Sequence, residues 1–154
     1  VISVKALDHQ PFLTEYPFGE TWENCSLRTW LNDTFLNAAF STEEQAIIQS
    51  VNVPANRNPE YDTDPGNATM DKLFLLSIDE ANKYFSSDEA RICMPTNYAK
   101  RNDTSGSVDV VWELRSPGNS QFSCAYVSGG RINCYGGSIY YSGYIRPAMW
   151  ISIE

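Results

Sequence analysis

Histidine is almost missing from this chain: among 154 residues there is one, His9. Any Ser-His-Asp or Cys-His arrangement, or a multi-histidine metal site, would have to be built around that single side chain. It follows the first apolar segment in a loop, where a solvent-exposed position is expected. The four cysteines, Cys25, Cys93, Cys124 and Cys134, contain no C-x-x-C pair, which speaks against zinc-ribbon and thioredoxin-type sites. Their even number leaves open two disulfides in any of three connectivities, or buried reduced thiols. No apolar run approaches the ~20 residues of a membrane helix, so no membrane insertion is expected. The opening Val1-Ile2-Ser3-Val4-Lys5-Ala6-Leu7 has no basic region followed by a long apolar run; it reads as a strand, not as a signal peptide. Positive charge is also scarce. Eleven Lys and Arg against nineteen Asp and Glu give a net charge of -8, which disfavours nucleic acid as a partner.

What is present is enough apolar material for one packed domain over residues 1–154, 42% hydrophobic and 13% aromatic, at a length that buries a core without staples. A loop with Pro11, Pro17 and Gly19 precedes Asn24 to Phe40, where Leu27, Trp30, Leu31, Phe35 and Ala38 fall at helical spacing. Ser41-Thr42-Glu43-Glu44 and Ser77-Ile78-Asp79-Glu80 are capping boxes, predicting helices to about Gln49 and through Phe85. Leu73-Phe74-Leu75-Leu76 reads as a buried strand. Residues 54–69 and 86–107 carry no periodicity and read as irregular. Short strands are expected at Val108–Leu114, Ser123–Val127, Arg131–Tyr135 and Tyr144–Ile153. This order gives an α+β fold, with helices in the N-terminal half and a small antiparallel sheet in the C-terminal half.

Residues 119–145 stand apart. They hold five Tyr, five Ser and five Gly with no Asp, Glu or Lys and one Arg, a composition resembling a binding paratope, where Tyr supplies rigid contact area and Ser, Gly and Asn adaptable hydrogen bonding. Tight hairpins with glycines at positive φ would produce part of the same composition. Adenine-directed mutagenesis of Asn codons never yields Lys, Glu, Gln, Met or Trp, and of these five types only Gln121 occurs in the stretch. That pattern is what diversification by a retroelement would leave.

The motifs Thr21-Trp22-Glu23-Asn24-Cys25-Ser26-Leu27-Arg28-Thr29-Trp30-Leu31-Asn32, Ala39-Phe40-Ser41 with Glu44, Asp71-Lys72-Leu73-Phe74-Leu75-Leu76-Ser77, Arg91 with Pro95-Thr96-Asn97-Tyr98-Ala99, Leu114-Arg115-Ser116-Pro117-Gly118 and Arg146-Pro147-Ala148 together resemble an uncharacterised bacterial domain family of unknown function. Relatives usually carry a further strand upstream of the segment matching Val1 to Leu7, so the chain looks shortened there. They also usually have Gly immediately before the hydrophobic-Arg-Pro-Ala ending, where this chain has Tyr144, with Gly143 one residue earlier. More remotely, the layout resembles the C-type lectin fold, in the branch that includes formylglycine-generating enzymes and the variable proteins of diversity-generating retroelements. Fold alone does not give function.

Asp62-Thr63-Asp64-Pro65-Gly66-Asn67 offers oxygens without EF-hand spacing, and the Glu-Pro-Asn or Gln-Pro-Asp and Trp-Asn-Asp signatures of calcium-dependent lectins are missing; Trp30-Leu31-Asn32-Asp33 only mimics the latter. No metal, cofactor or catalytic residue is assigned. Arg115 and Arg146 read as scaffold, and the four Trp as core anchors. The candidate ligand-binding residues are Tyr126, Arg131, Asn133, Tyr135, Ser138, Tyr140, Tyr141 and Tyr144. They describe a noncatalytic recognition module for a protein or carbohydrate ligand, at a cell surface, secreted or phage-associated. The alternatives are a degenerate relative of formylglycine-generating enzymes using Cys124 or Cys134, and a structural domain of a larger surface or phage protein.

Overall fold

The computed structural model describes residues 1–15 and 19–153, so Pro17 of the first loop and Glu154 lie outside the described residues. Ahead of β1 (Asp8–Pro11) the chain makes only isolated bridges, Ile2 to Ala148 and Ala6 to Pro95. The strand expected over Val1–Leu7 therefore starts at Asp8, where a continuous neighbour first becomes available.

The apolar spacing after Asn24 produces one helical segment in three pieces: α1 (Ser26–Trp30), a π-helical turn (Leu31–Phe35) and α2 (Leu36–Ala39). Cys25 caps it, its sulfur accepting the Arg28 backbone N–H at 3.4 Å. The π turn has a local cause. The Asn32 amide donates back to the Arg28 carbonyl (3.1 Å) and across to the Leu73 carbonyl (2.8 Å), while its oxygen accepts the N–H groups of Lys72 and Leu73. A side chain thus competes with the helix's own hydrogen-bond ladder.

Ser41 and Ser77 start α3 (Thr42–Ile47) and α4 (Ile78–Tyr84) with complete capping boxes, Glu44 and Glu80 reaching back to the serine N–H groups. Each cap is worth ~1 kcal/mol. α3 stops short of Gln49 because Ile48 and Gln49 leave it as β2 (Ile48–Gln49) and pair with Ile151 and Trp150. β3 (Val51–Val53) pairs with β4 (Thr69–Asp71). Leu73 to Leu76 are all buried, yet they form no strand: Phe74 alone bridges to Ala148. Arg115 takes the neighbouring carbonyls, its backbone N–H bonding Leu76 at 2.9 Å and its Nη1 bonding Leu75 at 2.7 Å. Residues 86–107 are not wholly irregular either. They hold α5 (Asp88–Arg91), capped by Ser87, and α6 (Asn97–Asn102), capped by Thr96, single turns too short to show a period.

The remaining strands are β5 (Val111–Pro117), β6 (Ser123–Ser128), β7 (Arg131–Ser138), β8 (Ser142–Ile145) and β9 (Trp150–Ile151). The expected strand Tyr144–Ile153 breaks between β8 and β9, where Pro147 has no N–H to donate. The main sheet has the order β1-β8-β5-β6-β7. It is not wholly antiparallel: β8, inserted between β1 and β5 after the chain crosses from the β7 edge, runs parallel to β5 at Trp112 and Tyr144. The chain is thus mixed α and β, with helices in the N-terminal half running on to Asn102 and several sheets mostly in the C-terminal half.

The core sits between the helices and the sheet. Trp112, Phe12, Leu27, Leu31, Leu114 and Ile145 are all but fully buried in it, each contributing ~2 kcal/mol of apolar burial.

Candidate functional site

β6 and β7 form a hairpin closed by Gly129 and Gly130 at φ +55° and +82°, the left-handed pair that a two-residue hairpin turn requires. Its tip is fastened to α5: Arg91 Nη1 donates to the Gly130 carbonyl at 3.3 Å, and a Cβ at Gly130 would lie 2.0 Å from the Asp88 carbonyl oxygen. Tyr126 and Asn133 face each other across the strands, and the Asn133 amide donates to the Tyr126 hydroxyl at 2.9 Å. The Asn133 oxygen accepts the Gly136 N–H at 3.0 Å, and the Tyr126 ring lies against Gly137. Arg131 is exposed, 4.0 Å from Asp88. Tyr135 is 59% exposed and meets Tyr61 edge-on at 6.0 Å. Tyr61 comes from the irregular loop, which Asn58 and Thr63 pin to the sheet by donating to the carbonyls of Pro117, Cys134 and Gly118. Nothing in the sequence pattern of 54–69 marked Tyr61 or Asn58, because that link is entirely non-local.

Ser138, Tyr140 and Tyr141 sit at the other end of β7. Buried Ile139 anchors this turn on both sides, donating to the Phe122 carbonyl (3.1 Å) and accepting from the Leu13 N–H (2.9 Å). Tyr140 packs half-buried on the core, and Tyr141 projects at 77% exposure. With Pro11, Leu13 and Thr14 these residues line an open groove of about 540 Å³.

Tyr144 is not part of either surface. It is buried between β1 and β5, and its hydroxyl donates to Asp103 Oδ2 at 2.9 Å. Burial, and then the Asp103 carboxylate, push its pKa up to about 12. His9 is likewise buried, contrary to the exposed position expected, because β1 lies between β8 and α6. Its ring meets Tyr144 edge-on at 4.8 Å, Nε2 is 3.6 Å from Asp103 Oδ1, and Nδ1 has no partner among the described residues.

Both bracketing arginines are buried. Arg115 forks onto Glu80 and donates to the carbonyls of Pro54 and Leu75. Arg146 lies over the rings of Phe85 and Trp112 at 4.9 and 5.0 Å and donates to the Ser3 and Arg91 carbonyls. In the Asp62–Asn67 loop, Asp62 pairs with Arg57 at 2.6 Å and Asp64 accepts the Gly66 N–H. Among the described residues no group of three or more His, Cys, Asp and Glu is placed to hold a metal ion.

The four cysteines are free thiols. Cys124 faces Gly137 across the hairpin, not Cys134. Burial pushes the Cys25 thiol up to about 12 and raises Cys93 and Cys124; Cys134 is raised by burial and by Glu60. A nucleophilic thiol needs the opposite shift. Glu113, beside Cys25 and Cys124, is itself enclosed, with Oε2 unpartnered among the described residues. Burial drives its pKa well above the ordinary value, opposed only by a hydrogen bond from the Gly143 backbone. A Cβ at 143 would come within 2.7 Å of Glu113 Cγ, so the glycine makes room for the carboxyl.

Two of the sequence motifs meet at the first helix and β4. Asp71 accepts from Trp22 Nε1 (3.0 Å), Arg28 Nε (2.7 Å) and Thr69 Oγ1 (2.5 Å), and Asn32 ties the same helix to Lys72 and Leu73. The family model of DUF6273, a domain of unknown function, matches residues 8–153. The chain belongs to this family. No curated protein and no solved structure matches it. For this DUF6273 chain, the Trp-Glu-Asn-Cys and Asp-Lys-Leu-Phe motifs are architecture, clasping the first helix to β4. No helix among the described residues is long and apolar enough to cross a membrane.

Proposed function

We propose that the chain is a noncatalytic recognition module of C-type-lectin-like architecture, whose ligand surface runs along β7 and its following turn. The observation that carries this reading is the exposure of two tyrosines on anchored backbone: Tyr135 at 59% and Tyr141 at 77%. The hairpin tip is held by Arg91 and the far turn by Ile139. Rigid aromatic side chains on a fixed frame bind with little ordering cost. Support for the architecture comes from the first strand pairing with β8, which brings the two ends of the chain together beside one small sheet. The cysteine-enzyme alternative draws no support from thiols whose pKa values are raised.

The ligand is a protein or a carbohydrate, and the surface is of retroelement origin. The Tyr135/Tyr140/Tyr141→Ala triple variant tests the recognition reading on a glycan array and a displayed-peptide library. Wild-type protein retains at least one ligand from these, and the folded triple variant loses it; equal retention by both overturns the reading. Neighbouring DNA tests the origin: a reverse transcriptase gene with a near-copy of the region encoding residues 112–150 supports it, and absence of both counts against it.

A further inference from the structure

The groove at the β7–β8 turn has a chemistry that selects among ligands. Among the described residues six line it, Pro11, Leu13, Thr14, Ser138, Tyr140 and Tyr141, and none of these carries a charged side chain, although the chain as a whole carries a net charge of -8. An ionic ligand would find no counter-charge among them, and binding one there would cost desolvation without an ion pair in return. A purely apolar ligand fits poorly too, because four of the six residues carry a hydroxyl. A folded protein partner needs ~800 Å² of surface on each side, far more than the described lining of this groove supplies.

What remains is a small, neutral ring with an apolar face and a hydroxylated rim. The parts are arranged for it. The Tyr141 ring is mostly exposed, yet its backbone is held: its N–H donates to the Ser138 carbonyl at 3.2 Å, and Ile139 between them is fully buried. The backbone that carries the platform is therefore held before a ligand arrives, which lowers the ordering cost of binding. Ser138 Oγ accepts the Tyr140 N–H at 3.4 Å, which leaves its hydroxyl proton directed elsewhere. Among the described residues neither the Thr14 hydroxyl nor the Tyr141 phenol bonds to another group of the chain. Hydroxyls that both donate and accept suit a polyol rim.

We propose that this groove is a pyranose-binding subsite in which the apolar face of a neutral sugar ring lies on Tyr141 while its hydroxyls bond Thr14 and Ser138. The proposal rests on the recognition reading above and narrows its ligand class at one end of the surface.

The test uses the whole chain, labelled with ¹⁵N, titrated with a panel of neutral methyl pyranosides and their disaccharides. A binding sugar shifts the amide signals of residues 12–14 and 138–141, Tyr141→Ala weakens it about tenfold, and Tyr141→Phe, which keeps the ring, changes it by less than about threefold. No shift from any sugar in the panel overturns the subsite, as does equal affinity in Tyr141→Ala. Shifts centred on Tyr126 and Tyr135 instead also overturn it. The two proposals fail separately: a silent sugar panel, alongside a peptide ligand lost by the Tyr135/Tyr140/Tyr141→Ala variant, removes the sugar and leaves the recognition surface.

Discussion

Glu113 is a carboxyl with nowhere to put a charge. It is enclosed and, among the described residues, accepts from the Gly143 backbone and keeps one oxygen without a partner. Its folded-state pKa is raised above that of the unfolded chain, so stability is complete below the ordinary carboxyl range and falls as the pH climbs toward the raised value, by up to about 1.4 kcal/mol per pH unit. Glu113→Gln removes that slope. Urea unfolding of both proteins between pH 5 and pH 9 should show the variant gaining on wild type as the pH rises; a constant difference would mean that Glu113 is not held protonated. Neither this residue nor Asp71 carries any local signal, since an acidic side chain on a strand reads as solvent-facing until a third element covers it. The tyrosines teach the same lesson. Composition picked out Tyr141 and Tyr144 alike, but composition carries no depth. Tyr141 is 77% exposed, and Tyr144, three positions on, is 6% exposed because its strand has a neighbour on each side.

The starts of α3 and α4 were legible, and the end of α3 was not. A capping box is written within four residues, so Ser41 and Ser77 mark α3 and α4 correctly. Where α3 stops is decided by the pairing of Ile48 with Ile151, about a hundred residues away in sequence. Glycine positions divide in the same manner. Gly129 and Gly130 share a turn and both have positive φ, but a side chain at 129 meets nothing within 4 Å, while one at 130 would strike the Asp88 backbone at 2.0 Å. Gly129→Ala should therefore cost only the left-handed penalty of about 1 kcal/mol. Gly130→Ala should cost clearly more and lift the hairpin tip from α5, visible as faster amide exchange at residues 128–131. Equal destabilisation by the two changes would show that the tip does not rest on α5.

Across the whole molecule, the sheet is assembled from both ends of the chain, with β1 against β8 and β5 and β6 at its centre. Cys25, Cys93 and Cys124 are enclosed by this assembly, and Cys134 lies at its partly open edge strand. Alkylation read by mass spectrometry should modify Cys134 first. The other three should react only as the protein unfolds, at rates that rise together with denaturant. Native-state reaction of Cys25 or Cys124 as fast as Cys134 would reopen the case for cysteine chemistry. Local rules alone settled the class of the chain: amphipathic spacing, serine caps, glycine turns and the balance of charge act within a few residues, and they give helices first, strands later and one tyrosine-rich stretch. The parallel pairing of β5 with β8, the burial of His9 and Tyr144, the clasp of Asp71 on Trp22 and Arg28, and the division of the tyrosines between a sheet face and a groove were decided by the tertiary structure. Each depends on segments far apart in sequence meeting in space, and burial and pairing at such contacts override what any short stretch prefers.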